Sequence, residues 1–552
     1  MTKSPVSVEG GGLVPPFEDI NLFSSDAALQ EALTREGGGH AQKSLVAFGL
    51  VCGSADVMER ARTAEDYPPR LRIFDAQGRR IDRVEHHPAY HELLEMSCGE
   101  RLQCEVWAEG GDTAPAQGRQ VARAAGLYLA SQVNVGHCLP LCMTHAAAPT
   151  IAMQPELAPW LSKLVSHGYD ARAAALVDKR AVLIGVSNQE KNAGADRSAT
   201  VTRAEPAGEP DGRRYILNGH KWFLSAPMSD AFLMLAQAPG GLSCFLVPRF
   251  RDDGEANGIH LQRLKDTLGV RASACAEVEL IESDGWLIGE EGEGETVLSE
   301  TQMQLRLDLS VVSAGAMRRA LAQAIHHAEN RVVSGKLLIE HPLMSQVLAD
   351  LALDVEAALA LALRLARSFD RAEDSRAAAW RRLMTPVTKY WVCKIAPAIL
   401  AETIECVGGN AYVEELPLAR IYRDVVALSL WEGTGNELAL EVLHILQREP
   451  EAAEIVMEEL GKAVGDDAYL EAAHARIAAI LCEPRRLDLR ARSLVEGLAV
   501  LAAGTILRAH TPAAVSDGFI ATRMGSVTRQ TYGQELDWAD TAAILRRASP
   551  TR

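Results

Sequence analysis

Apolar residues recur at intervals of three and four over long stretches of both halves of the chain, a period that predicts helices. From about Asp26 to Lys179 the pattern is helical, most clearly between Val121 and Val135. Around Arg180 the period shortens. The runs Val182–Val186, Tyr215–Leu217, Ala231–Leu235, Cys244–Val247 and Ala276–Leu280 are short and apolar or alternating. Asp211-Gly212, Pro239-Gly240-Gly241 and Asp253-Gly254 punctuate them. This predicts a small β domain over residues 181–295, antiparallel and barrel-like. Helical periods then return. Arg306 to Val333, Leu343 to Arg371, Ala377 to Ile404 and the stretch after Gly435 predict four helices bundled over residues 296–448. Past Glu449-Pro450 a further helical region fills residues 449–552. Ahead of the first helix, Gly10-Gly11-Gly12 and Pro15-Pro16 mark an extended tail, which with the N-terminal helices makes up residues 1–180.

Composition supports this mainly helical, multidomain reading. The chain has 552 residues, 48% apolar and 23% charged, with aromatics at only 5%. A formal charge of −17, from 56 basic and 73 acidic residues, disfavours a broad nucleic-acid or anionic-membrane footprint. No apolar run long enough to cross a bilayer and no basic-then-apolar leader is found, so a cytoplasmic protein is expected. Ten cysteines lie scattered from Cys52 to Cys482. Cys138 and Cys142 are the closest pair, nothing nearby completes a zinc set, and buried reduced thiols are expected with no metal.

The densest chemical signal is Ser429-Leu430-Trp431-Glu432-Gly433-Thr434-Gly435-Asn436-Glu437-Leu438-Ala439. It sets one carboxylate, Glu432, on a glycine-flanked turn before a helix, and Thr434 and Glu437 have capping-box spacing. A base on such a turn, beside free backbone N–H groups, serves both proton abstraction and phosphate binding. Taken alone, the same residues describe a capped helix with an exposed acid.

Together with Arg420-Ile421-Tyr422-Arg423-Asp424, this stretch resembles the C-terminal signature of the acyl-CoA dehydrogenase family. Residues 188–196 (Asn-Gln-Glu-Lys-Asn-Ala-Gly-Ala-Asp) look like that family's first flavin-binding loop, and Gly219 to Ser225 like its second. Gly408-Gly409-Asn410-Ala411-Tyr412 is similar to its glycine-rich segment. Arg331 with Gly335 is similar to the segment that reaches a neighbour's adenine. Asn21 to Asp26, Thr34 to Gly37, Arg60, Tyr67-Pro68-Pro69, Phe74 to Arg80 and His86-His87-Pro88 resemble the AidB-like subgroup, as do Gly240 to Phe245 and Arg263 to Asp266. The extra C-terminal helical region fits the same subgroup.

The resemblance implies an N-terminal helical domain, a β-barrel and a C-terminal four-helix bundle, followed by an added helical region. It implies FAD as cofactor, an acyl-CoA substrate and a homotetramer. Glu432 would be the catalytic base, and Arg306 matches an arginine near the active centre. FAD contacts fall by resemblance on Val186, Asn188, Gln189 and Ala195, on Trp222, Phe223 and Ser225, and on Arg331, Gly408 and Gly409. Trp431, Gly433, Thr434 and Asn436 would complete the set. Four positions depart from the family pattern: Gln189 for a threonine, Ala195 for a serine, Ser334 for an aromatic residue and Ala411 for a glycine. A non-catalytic binder of acyl-CoA or another ligand, with a decayed flavin site, is therefore a second expectation.

The subgroup resemblance further implies weak association with duplex DNA through the C-terminal region. That region has 12 basic against 14 acidic residues beyond Pro450. Arg485, Arg486, Arg490 and Arg492, joined by Arg508, Arg523, Arg529, Arg546 and Arg547, would form the patch if they shared a face.

Overall fold

The computed structural model describes residues 14–107, 118–194, 196–208, 212–371, 373–525, 532 and 539–550. Ala195, Arg529 and the Gly10–Gly12 run lie outside these residues.

The N-terminal part contains helices α1 (Ala27–Glu36), α2 (Gln42–Cys52), α3 (Ala55–Asp66), α4 (Pro88–Gly99), α5 (Arg119–Val133), α6 (Val135–Ala152) and α7 (Ala158–Leu164). Local chemistry sets their ends. Asp26 Oδ1 accepts from Leu29 N at 3.0 Å to start α1, and Gly37 stops it at φ 102°. One feature corrects the all-helical expectation. Strands β1 (Arg70–Phe74) and β2 (Arg80–Glu85) form an antiparallel hairpin between α3 and α4. Asp75 Oδ1 organises its turn, accepting from Gln77 N at 2.8 Å and Arg79 N at 2.9 Å, and the two-residue alternation of burial is that of a strand.

The central part holds β3 (Ile184–Ser187), β4 (Arg203–Pro206), β5 (Arg214–Ser225), β6 (Ala231–Ala238), β7 (Gly241–Pro248), β8 (Ile259–Leu264) and β9 (Cys275–Ile288). β6, β4, β5, β9 and β7 close into a ring through the β6–β7 pairing, with β8 alongside β9. Most pairings are antiparallel as expected. β3, however, runs parallel to β6, Ile184 opposite Ala231, and β4 meets β6 in parallel at Arg203. Parallel pairing of this kind requires a crossover between the strands, and the chain between β3 and β6 supplies one. β6 is buried on both faces: Phe232, Met234 and Ala236 fill the barrel, while Leu233 and Leu235 join the helical core.

The C-terminal bundle is built on α8 (Gly294–Asn330), followed by the tight hairpin β10 (Val332–Val333) and β11 (Lys336–Leu337). The first predicted bundle helix therefore stops at Asn330, short of Val333, because Ser334 and Gly335 turn the chain at φ 50° and 80°. α9 (Pro342–Phe369), α10 (Ser375–Val407), α11 (Pro417–Leu430) and α12 (Gly435–Arg448) complete it. Asp308 of α8 and Arg123 of α5 form a fully buried bidentate pair at 2.6 and 2.8 Å, locking the bundle to the N-terminal helices.

Beyond it come α13 (Pro450–Ala463), α14 (Ala468–Leu481), α15 (Leu487–His510), α16 (Ala513–Met524) and α17 (Thr541–Ala548). α15 is long and apolar enough to cross a membrane, contrary to the reading of the sequence. Yet 61% of its apolar window is buried, against α9, α10, α12 and α14. All ten cysteines are free thiols, eight of them buried.

Candidate active site

Glu432 occupies the sharp junction between α11 and α12, with φ at 54°, next to Gly433 at 116°. The capping signal operates locally: Thr434 N donates to Glu437 Oε2 at 2.6 Å, starting α12 directly after the turn. Arg306, buried on α8, donates from Nε to the Glu432 carbonyl at 3.0 Å and pairs through Nη1 with Glu441 at 2.7 Å. Lys389 on α10 donates to Gly433 O at 2.5 Å and to Ser429 O at 3.4 Å. Trp431, Glu432, Gly433 and Thr434 are half-buried, and Asn436 is exposed. The predicted base and Arg306 are thus brought together.

The predicted cofactor residues of the barrel form a second group. Trp222 N donates to Gln189 O at 2.8 Å, and Ser187 Oγ donates to Phe223 O at 2.7 Å, so the two loops share one edge. A buried pair behind them, Lys221 with Glu190 at 2.5 Å, fixes the first loop to β5. Val186 is buried, Asn188 half-buried and Gln189 exposed. Groups here have bonding capacity to spare. Among the described residues Asn188 Oδ1 is buried without a partner and Ser225 Oγ has only a 4.0 Å contact to Cys275 Sγ, and Phe223 is 41% exposed. Trp222 is covered more closely by cations, with Lys265 Nζ 3.0 Å and Lys191 Nζ 4.8 Å from its ring centre, while Lys265 Nζ stands 5.2 Å from that of Phe223.

The barrel edge and the base loop are joined through the β8–β9 loop. Ala226 N donates to Ala274 O at 2.9 Å, and Val270 N donates to Asp424 Oδ1 of α11 at 2.6 Å. Asp424 is buried near Glu65, and burial followed by that neighbouring charge pushes its carboxyl pKa up. Eight residues of helical rise, about 12 Å, separate Asp424 from Glu432.

Arg331, Gly408 and Gly409 stand apart from both groups. Twenty-five residues of α8 put Arg331 about 38 Å from Arg306, and nineteen residues of α10 put Gly408 about 28 Å from Lys389. Gly408 has φ 83°, and among the described residues no atom beyond the chain neighbours lies within 4 Å of where a Cβ would stand on Gly408 or Gly409. Ala411, where the family pattern has glycine, is fully buried.

Family models match the chain in three blocks. Residues 13–171 match the adaptive response protein AidB N-terminal domain, residues 186–282 the acyl-CoA dehydrogenase middle domain, and residues 292–444 the acyl-CoA dehydrogenase C-terminal domain. The chain is 43% identical over 472 residues to the putative acyl-CoA dehydrogenase AidB of Escherichia coli strain K12, covering 85% of this chain and 86% of that one. The chain belongs to the acyl-CoA dehydrogenase family, in its AidB-like branch. Another relative in this family, acyl-CoA dehydrogenase family member 11 of Caenorhabditis elegans, is 30% identical over 80% of this chain and 72% of its own length. The solved structure of Caenorhabditis elegans ACDH-11 in complex with C11-CoA superposes with a TM-score of 0.84 at 26% identity, over 93% of this chain and 92% of that one. An acyl-CoA dehydrogenase complexed with FAD from Bacillus anthracis has a TM-score of 0.62 at 19% identity, over 86% and 83%, which shows the shared dehydrogenase fold.

The acyl-CoA dehydrogenase motifs in the sequence led to Glu432, Arg306 and the barrel edge, but not to Lys389, Glu441 or the Glu190–Lys221 pair. The signal for Lys389 was a lone charge in the apolar run Val387 to Val392. The arginine patch is not assembled as expected. Arg523 is buried against Asp350 and Asp354, Arg508 pairs with Asp467 and Asp517, Arg547 holds Glu31 and Glu356, and Arg490 faces Glu483 at 3.6 Å. Arg485, Arg486, Arg492 and Arg546 are exposed.

Proposed function

We propose that the chain is a flavin-dependent acyl-CoA dehydrogenase in which Glu432 takes the α-proton of a thioester substrate. The observation that carries this reading is Glu432 itself, half-buried in a left-handed turn whose carbonyl is held by the buried Arg306. Placement on a constrained junction between two packed helices fixes the carboxylate far better than a free loop would. FAD fits the barrel edge, where the partly exposed Phe223, the Ser225 hydroxyl and the Asn188 carbonyl offer a flat wall and polar contacts. When bound, it supplies the acceptor for the β-hydrogen as hydride. Gln189, at the mouth of the edge, can donate and accept where the family has a hydroxyl.

Arg331 and Gly408–Gly409 are too remote to serve the base loop of the same chain, which supports their use on a neighbouring subunit's cofactor in a homotetramer. The relative holding C11-CoA supports an acyl-CoA ligand for this chain as well.

Anaerobic absorption spectra test the reading. The FAD-loaded protein is expected to be yellow and to bleach with at least one saturated acyl-CoA in a panel from butyryl- to palmitoyl-CoA. Glu432→Gln should slow bleaching by about 10²–10⁴-fold. Protein that stays colourless after FAD reconstitution, or an E432Q variant bleaching at the parent rate, overturns it.

A further inference from the structure

The last turn of α11 and the turn that follows it into α12 leave backbone carbonyls without helical partners. Two cations from other helices meet them. Arg306 of α8 takes Glu432 O, and Lys389 of α10 takes Gly433 O and Ser429 O. We propose that Lys389 is a positioning residue whose ammonium pins the Ser429–Gly433 turn and thereby aims the Glu432 carboxylate. This rests on Glu432 being the base.

Three observations support the assignment. First, the Lys389 side chain is fully buried, and no carboxylate lies within ion-pair distance among the described residues. Burial, and to a lesser degree the Arg306 charge, drives the ammonium pKa down, against a smaller opposing pull from Cys393, Glu432 and Glu437, so its charge opposes folding except for the carbonyl bonds it makes. Methionine would fill the same space without that cost, so packing does not account for a lysine here. Second, the ammonium also reaches Ser429 O in the last turn of α11, where a cation is favoured by the dipole and by the orphan carbonyls. Third, the bonds from Arg306 and Lys389 fall on successive carbonyls. Holding the two peptide units on either side of the Gly433 Cα from two helices fixes the backbone there, where a φ of 116° gives access to conformations that other residues avoid. Without Lys389 the Gly433–Thr434 peptide keeps, among the described residues, only the bond from Thr434 N to Glu437, and the turn that carries the carboxylate is held at fewer points.

The test is Lys389→Met and Lys389→Arg in the full-length FAD-loaded protein, with three measurements. K389M should melt close to the parent temperature, because loss of the buried charge and loss of its carbonyl bonds act in opposite directions. Hydrogen exchange of the amides from Trp431 to Asn436 should accelerate on the order of tenfold or more. With the most active acyl-CoA of the panel, kcat for bleaching should fall on the order of 100-fold with KM little changed, and K389R should recover most of it. Parent protein that no acyl-CoA bleaches sinks the dehydrogenase reading, while melting and exchange still report on the clamp. The proposal is overturned if K389M exchanges like the parent across the turn. It is equally overturned if K389M melts well below the parent or fails to fold, since a core role alone would do that.

Discussion

Gly433 sits at φ 116°, and a β-carbon built there would stand 3.2 Å from Leu438 Cδ2 and 3.8 Å from Arg306 Nη2. Gly433→Ala should therefore cost about 1–2 kcal/mol through the left-handed backbone. The strain would be relieved by moving the turn, so bleaching by acyl-CoA should slow more than the melting temperature falls. A variant with parent kinetics and a lowered melting point would show that the turn tolerates displacement. What was legible at this scale was local. Thr434 and Glu437 are three apart, and their bond follows from spacing alone. Arg306 and Glu432 are 126 residues apart, so only the family pattern linked them. Lys389 had no such pattern to announce it.

At the scale of elements, α8 organises the molecule. It offers Arg306 to the base loop and Asp308 to Arg123, and its later turns hold the N-terminal strap through Arg318 to Ser25 O and Arg319 to Phe17 O, both at 3.0 Å. Removing one member of the buried Arg123–Asp308 pair, as in Asp308→Ala, should destabilise by about 3–5 kcal/mol. The double substitution R123M/D308L should recover most of that, measured by denaturant midpoint. If D308A melts like the parent, the pair contributes nothing to docking the two helical parts. The long helices were legible because their periodicity persists over many turns. The β1–β2 hairpin was hidden by its brevity, since five or six residues of alternation vanish inside a helical window. The end of α8 was misplaced by three residues because Val332 and Val333 continue an apolar pattern that Ser334 and Gly335 interrupt only afterwards.

For the whole molecule, acid sensitivity follows from histidines sealed between elements. Burial holds His137 of α6 at a pKa of about 4 and His86 at about 3, against an ordinary 6.5. Below pH 6.5 the unfolded chain takes up protons that the folded one refuses, so stability is complete above 6.5 and declines as pH falls toward 4. His137 alone accounts for about 3 kcal/mol over that interval. Asp424 works the other way, since its raised pKa favours the folded state in acid and that share fades as pH rises. Urea midpoints should nonetheless drop between pH 7 and 4, with a shallower slope in His137→Gln. An equal slope in that variant would move the sensitivity elsewhere. The order of helical, β and helical parts was plain from periodicity, whereas the parallel β3–β6 pairing was not, because alternation carries no direction.

That pairing has a consequence for how the protein comes into being. β3 leads into the segment expected to grip the cofactor, yet its ladder partner is β6, forty-seven positions later by the match of Ile184 with Ala231. During synthesis the grip cannot take shape until β4, β5 and β6 have left the ribosome, so cofactor capture must be a late event, and shortened chains ending before Ala231 should emerge unable to hold it.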